Sequence, residues 1–562
     1  MAEYLSPGVY VEEFDSAGPP LSGVSTSTAG FIGLAERGPV EGLPQLVTSM
    51  NDFRRKYGGY LSDNQFGSYR YLAYAVDQFF TNGGSRAYIM RVAPSDAKTA
   101  SSKGEFFVVT ARNPGSWGNQ VEVHIEPSSK AKTQIFEDLG GGKYRVKNSA
   151  GFVEGDAVVF TSGDSKTTAV VKSARDNVIE LSASLGEDVV DNGLVPTKTL
   201  ATLEFNVHVV FGDQRETFEN CSFNAAAPNH VSKVTSRSEL VTIEAKRGAD
   251  VAALFAESDR HVVTLSGGSD GSPSGVSPSD FIGEDRGPGQ RTGIQAFVDN
   301  DEVSIMAVPG VTDPAVQLAL VAHCENLGSR FGILDLPADK TKVQDVLAYR
   351  DIFDTSYAAL YNPWVQVFDP LEKRNIFIPP SGSIAGVYAR NDNTRGVEKA
   401  PANEVLRGVT GLAVQYNTGE QDILNPKGVN LIRSFTGQGI RVWGARTLSS
   451  NALWKYINVR RLFIFIEESI KAGTNWVVFE PNDERLWSRV HRTIDAFLTR
   501  VWRSGALQGS TPAEAFFIDI SRNTMTQDDI DNGRLICVIG VAPVKPAEFV
   551  IFRITQRTSE SA

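Results

Sequence analysis

At 562 residues and about 150 residues per domain, the chain has room for three to four domains. Its 55 Lys and Arg against 66 Asp and Glu give a formal net charge of −11, with 41% hydrophobic and 22% charged residues, an ordinary globular balance that excludes disordered, collagen-like and membrane-embedded classes. The acidic excess also argues against a protein that works by neutralising nucleic-acid phosphates.

From the N-terminus, Val9, Tyr10 and Val11 sit between Pro7-Gly8 and Gly18-Pro19-Pro20 and predict an extended arm over 1–20. A lone strand leaves its backbone groups unsatisfied, so it must pair with a sheet in its own chain or in another copy. No basic residue precedes Arg37, which does not fit a secretory signal. A strand is expected over 29–34, then a helix over 69–80 with Leu72, Val76 and Phe79 on one face, then a strand over 86–92. Over 97–264 the pattern changes to short period-two runs, such as Val121, Val123, Ile125 and Leu203, Phe205, Val207, Val209, predicting an inserted, mostly β domain. Its one expected helix is near 249–257.

The α/β pattern returns with a buried strand over 303–308. A helix follows, opened by Asp313-Pro314 and closed by Gly328, and then a strand over 331–336. This order predicts a parallel βαβ unit. Two amphipathic helices follow, one carrying Val459, Leu462, Phe463, Ile466 and Ile470, the other Leu486, Val490, Ile494, Phe497 and Val501, with a strand expected between them over 476–479. The last run, Phe549, Val550, Ile551, Phe552, Arg553, Ile554 and Thr555, is apolar on both faces, as a central strand would be. Strand-like termini on a globular body are the pattern of strand exchange between subunits, although pairing within one chain would serve the same backbone need.

The reading is therefore an α+β multidomain chain. It has an N-terminal arm at 1–20, a discontinuous α/β core with a mixed sheet at 21–96 and 265–424, an inserted β domain at 97–264, a C-terminal α+β domain at 425–542, and a strand arm with a polar tail at 543–562. The longest apolar stretches, 316–322 and 462–466, fall short of the ~20 residues that span a bilayer, so direct membrane insertion is not expected. Cys221, Cys324 and Cys537 are too few for a disulfide framework or a four-ligand zinc site, which fits a reducing cytosol.

Catalytic signals are poor. Gly267-Gly268-Ser269-Asp270-Gly271 matches the G-x-S-x-G of serine hydrolases, but Ser272-Pro273-Ser274-Gly275 cannot start the helix that such an elbow needs. The six histidines are scattered without ligand spacing, Gly140-Gly141-Gly142-Lys143 lacks the rest of a phosphate loop and reads as a hairpin turn, and Asp528, Asp529 and Asp531 have the wrong spacing for a calcium loop. No catalytic residue, metal or cofactor is expected. More informative is a stripe of Arg485, Arg489, Arg492, Arg500 and Arg503 on the second amphipathic helix. It reads either as a solvated face paired to Glu467, Glu468 and Asp495 or as a docking face for an acidic partner.

Longer motifs carry a resemblance. The stretch from Pro379 and Pro380 through Gly382, Gly386, Arg390, Asp392 and Arg395 to Lys399 and Asn403 resembles the central signature of contractile tail sheath proteins. So does the stretch from Asn425 and Asn430 to Trp443, Gly444 and Arg446, as do Asn113-Pro114-Gly115-Ser116-Trp117-Gly118-Asn119, the 265–271 segment and the opening Tyr4 to Glu13. The resemblance implies a structural subunit of phage tails, tailocins or related injection systems, assembled in the cytoplasm. Copies would stack as hexameric rings around an inner tube, between baseplate and terminal cap proteins, with no nucleic acid partner. An extended state would contract to drive the tube through a target envelope. On this reading Val9, Tyr10, Val11, Phe549, Val550, Ile551, Phe552 and Ile554 are inter-subunit strands, and the arginine stripe faces the tube. The inserted domain lies outside. A static self-assembling shell and an α/β serine hydrolase remain as alternatives.

Overall fold

The computed structural model describes residues 21–553. The arm strand expected at Val9, Tyr10 and Val11, and Ile554, lie outside the described residues.

The architecture is organised by a nine-stranded mixed sheet. Its order is Gln45–Val47, Ala87–Val92, Ala29–Leu34, Ile305–Ala307, Phe331–Asp335, Ala358–Asn362, Val429–Phe435, Gly439–Val442 and Glu404–Val405. The six strands from Ala87–Val92 to Val429–Phe435 run parallel, and antiparallel strands close both ends. Parallel strands are covered on both faces and so read as continuous apolar runs. Phe31, Ile89, Ile305 and Ile333 pack on one side with the helices Leu72–Thr81 and Ser381–Thr394, while Ile32, Met90, Met306 and Leu334 pack on the other with Pro314–Leu327 and Val343–Arg350. The helix Pro314–Leu327 begins and ends as expected: Asp313 accepts from the Ala315 N–H, and Gly328 is left-handed.

The described residues 549–553 form no strand, against the central strand expected from the apolar run, because no described strand pairs with them. Two further expectations change. The core sheet passes residue 424, where the sequence reading drew its boundary, because Val429, Leu431 and Ile432 are buried between both helical layers and pair beside Ala358–Asn362. The strand expected over 476–479 is instead a 3-10 turn, Asn475–Val477, running into an exposed loop. The helices Ile457–Gly473 and Glu484–Arg503 pack together with the hairpin Phe516–Asp519 and Val538–Val541 in a separate core, and the turn joining them pairs with no described strand.

The inserted segment holds two β bodies, one nested in the other. Strands Ser101–Lys103, Phe107–Ala111, Glu122–Ser128, Glu204–Phe211, Gln214–Cys221, Val241–Ala245 and His261–Thr264 surround one core. Residues 129–203 leave between paired Ser128 and Glu204 and form a seven-stranded sheet around a second core. Its end strands, Lys132–Thr133 and Ile135–Gly140, are separated only by Gln134, so the sheet curls until its ends meet. The expected Gly140–Lys143 hairpin turn joins two of its strands.

The helices Leu72–Thr81 and Ser381–Thr394 cross at two glycines. A Cβ on Gly382 would lie 2.3 Å from the Ala75 carbonyl oxygen, and one on Gly386 would lie 2.6 Å from that of Phe79. These obstacles are backbone and cannot rotate away. Gly382→Val is therefore expected to destabilise the fold by about 3 kcal/mol, the upper end for overpacking, read as a lower midpoint in thermal unfolding. An unchanged midpoint would show that the helices can part at no cost.

Candidate functional site

Near each end of the described chain a polar cluster, or root, fastens the terminal segment to the body. The first root is where residues 21–28 cross from the C-terminal body to the core. Leu21 packs in the C-terminal core, the Val24 N–H donates to Ser469 Oγ at 3.1 Å, and Arg500 donates to the Leu21 carbonyl. At Thr26 the segment meets a buried ion pair. Arg461 Nη1 and Nη2 donate to Asp392 Oδ1 and Oδ2 at 2.9 and 2.6 Å, with both side chains 3% exposed. Thr26 Oγ1 donates to Asp392 at 2.7 Å, and Arg461 also donates to the Thr26 carbonyl at 2.9 Å. One bidentate pair thus joins the entering segment, the core helix Ser381–Thr394 and the C-terminal helix Ile457–Gly473.

The second root is Glu548. Its carboxylate receives Arg446 Nε and Nη2 at 2.8 and 2.7 Å, Asn425 Nδ2 at 2.8 Å and Tyr456 Oη at 3.0 Å. Partial burial opposes its ionisation, but the hydrogen bonds from Arg446 and Asn425 prevail and hold it below the usual glutamate range. Asn458 Nδ2 binds the Val544 carbonyl at 3.2 Å, and the Val544 N–H donates to Ala506 at 3.2 Å. Past this anchor, Phe549, Val550, Ile551 and Phe552 are 72, 68, 77 and 83% exposed and pair with no described strand.

The remaining motif residues brace these roots. Pro380 precedes the core helix, and Ser381 donates through N and Oγ to buried Asp335. Burial raises Asp335 to about 6, against those hydrogen bonds. Arg390 donates to the carbonyls of Asn82 and Val405 at 3.1 and 2.7 Å, and Lys399 pairs with Glu404 at 2.7 Å. Asn403 takes a left-handed φ of 56° and accepts from Arg441. Asn430 grips the Arg446 backbone at both N–H and carbonyl, 2.8 Å each, and Gly444 gives it space, since a Cβ there would lie 2.9 Å from Asn430 Oδ1. Trp443 is partly exposed against Phe435, and Arg395 is exposed at the helix end.

The 113–119 and 265–271 motifs form a clasp at the base of the inserted segment. Asp270 accepts from Ser116 N and Oγ at 2.7 Å each and from Gln65 at 2.9 Å, while Asn119 and Gly268 exchange two bonds. Ser269 exchanges backbone bonds with Lys98, and the chain passes through the 3-10 turn Pro273–Gly275 before the helix Pro278–Ile282 begins, so this G-x-S-x-G is a strand-like rung and its serine is not at a helix start. His323 is buried beside Arg330, and burial with that charge lowers it to about 3. Asp528 and Asp529 sit in the first turn of the helix Gln527–Asp531, which Thr526 caps.

Arg485, Arg492, Arg500 and Arg503 are exposed and have no carboxylate partner among the described residues. Arg489 pairs with Glu480 at 3.6 Å and lies over Trp476. The expected pairing to Glu467, Glu468 and Asp495 does not form.

Residues 287–448 match the family model for the phage tail sheath protein central domain, and 449–557 match that for the phage tail sheath C-terminal domain. The chain belongs to the phage tail sheath family. The tail sheath protein of Burkholderia phage BcepMu is 29% identical over 314 residues, covering 51% of this chain and 63% of that protein. That of Escherichia phage P2 is 26% identical over 287 residues, covering 49% and 70%. The helical sheath of the anti-feeding prophage, solved by cryo-EM in the contracted state, has the same fold over 98% of this chain and 99% of its own, with a TM-score of 0.54 and 23% identity.

The chain is therefore a structural sheath subunit, and because its relatives are structural sheath proteins and not enzymes, the hydrolase alternative falls. The sheath motifs within the described residues lie at the roots, in the core beside them and at the clasp, and the Tyr4 to Glu13 motif lies outside the described residues. Sequence reasoning missed Thr26, Arg461 and Glu548. Arg461, inside an apolar helical stretch beside Leu462, carried the one available signal, that of a charge at a buried position.

The Glu548 anchor titrates. Because its folded pKa is depressed, its contribution is present above the unfolded glutamate value of about 4.3 and is lost as pH falls through the lower folded value. Hydrogen exchange over 542–548 is expected to rise on acidification through that range, and Glu548→Gln should raise it at neutral pH with little change in core protection. Equal protection in the variant would remove Glu548 as an anchor.

Proposed function

We propose that this sheath chain polymerises as stacked hexameric rings around an inner tube and contracts from an extended state to drive that tube through a target envelope. The carrying observation is the apolar run at 549–552, anchored at Glu548, exposed and unpaired. The hairpin Phe516–Asp519 and Val538–Val541 is only two strands wide, with Phe517 and Val538 exposed. A two-stranded sheet is marginal alone, and a strand from a second copy would satisfy both edge and arm. Val9, Tyr10, Val11 and Ile554 belong to the same tethers in this reading. At ~3.3 Å per residue, a 15-residue arm reaches about 50 Å. The arginine face turns towards an acidic tube, the inserted domain points outward, and baseplate and cap proteins close the ends. Work comes from contacts between bodies that improve on contraction.

Deleting 549–562 is expected to leave thermal unfolding unchanged and to abolish striated tubes in negative-stain electron microscopy; tubes of normal length from the truncated chain would overturn the tether reading. Joining Ser128 to Glu204 by a two-residue turn, which these antiparallel partners permit, should remove the nested barrel yet spare tubes. Loss of assembly by that soluble variant would place the barrel within the ring contacts.

A further inference from the structure

Phe479 combines two unfavourable features. Its φ is 69°, a left-handed conformation otherwise held among the described non-glycine residues by Asp, Asn and Lys, and its ring is fully exposed at 102%. Bulky residues avoid this region because of backbone sterics, and a lone aromatic in water gains nothing from packing. The loop around it is firmly held. The N–H groups of Val477, Val478 and Glu480 donate to the carbonyls of Thr474, Asn475 and Val477, Trp476 Nε1 donates to the Gly473 carbonyl, and Arg489 bridges Glu480 and the Trp476 ring. The conformation is thus imposed by its neighbours, and it aims the ring away from the body. Such outliers mark places where strain serves contact with another molecule.

The loop adjoins the arginine face through Arg489, with Arg485 one turn below and Arg492 one turn above. We propose that Phe479 is the apolar anchor of the contact with the inner tube, entering a hydrophobic socket rimmed by carboxylates that pair with Arg485 and Arg492. This rests on the reading that the arginine face lies on the tube. The case for the tube is proximity: Arg489, between Arg485 and Arg492 on the helix, holds the loop that carries Phe479 through Glu480 and the Trp476 ring. A buried aromatic flanked by arginines is also the composition that dominates binding at protein interfaces.

The experiment uses the full chain and preassembled tubes of the tube protein encoded in the same gene cluster. Phe479→Asn removes the ring and supplies a residue suited to a positive φ. Its unfolding midpoint is expected to be equal or higher, its polymerisation without tubes unchanged, and its coverage of tubes reduced at least tenfold by sedimentation and microscopy. A lower midpoint would make the ring part of the fold, lost polymerisation without tubes would make it a contact between copies, and full coverage would remove it as an anchor; each overturns the proposal. A chain carrying Arg485→Glu and Arg492→Glu separates the two readings. If it fails to cover tubes while Phe479→Asn succeeds, the arginine face stands and the anchor falls. If it covers tubes while Phe479→Asn fails, the arginine reading and the carboxylate rim fall and only the ring's contact with the tube stands.

Discussion

The Arg461–Asp392 pair is the constraint on which the arrangement turns. Both groups are shut away from water, so each has lost its hydration and depends on the other. Removing one partner of such a pair leaves an uncompensated buried charge, which costs about 3–5 kcal/mol. The pair also holds Thr26 through hydroxyl and carbonyl. The bidentate pair therefore fixes the relation between the core helix, the C-terminal helix and the segment around Thr26. Apolar packing could join the same elements, but it is not directional and would allow them to slide.

This division between fixed bodies and rooted tethers suits a subunit proposed to change its contacts without leaving its lattice. The core is rigid by construction, with a sheet buried on both faces and a helix crossing too close for side chains at Gly382 and Gly386. The terminal segments leave the body at strong polar anchors. Before Glu548 the backbone is bonded to the body, and directly after it four large apolar residues face solvent. A tether with a firm root transmits load to the body instead of peeling away.

The inserted segment follows the same logic at its base. Asp270 and Asn119 stitch the outgoing and returning strands together, and buried Arg91 binds the carbonyls of Ala35, Glu36, Gly38 and Pro114. Two chain crossings held side by side resist the twisting that a single linker would allow. The nested barrel at 129–203 leaves and returns between paired residues, so the sheet beneath it closes without its help.

The sequence by itself determined what local rules govern. Apolar runs and caps placed four of the six parallel strands, Ala29–Leu34, Ala87–Val92, Ile305–Ala307 and Phe331–Asp335, and the helix Pro314–Leu327, period-two runs identified the inserted segment as β, and long glycine- and arginine-containing motifs pointed to the family. It also marked the apolar run at 549–552, which in the structure lies exposed and forms no strand, because two apolar faces are legible without a partner. Tertiary structure decided whatever depends on distant residues meeting. The core sheet runs past 424 because Val429–Phe435 finds a neighbour in Ala358–Asn362, and 476–479 is no strand because its N–H groups close local turns onto Thr474 and Asn475. Arg461 and Glu548 became anchors only once Asp392, Thr26, Asn425 and Arg446 were brought to them. Periodicity reports which face of an element is apolar, whereas a buried charge is settled by partners that lie from 69 to 435 residues away along the chain.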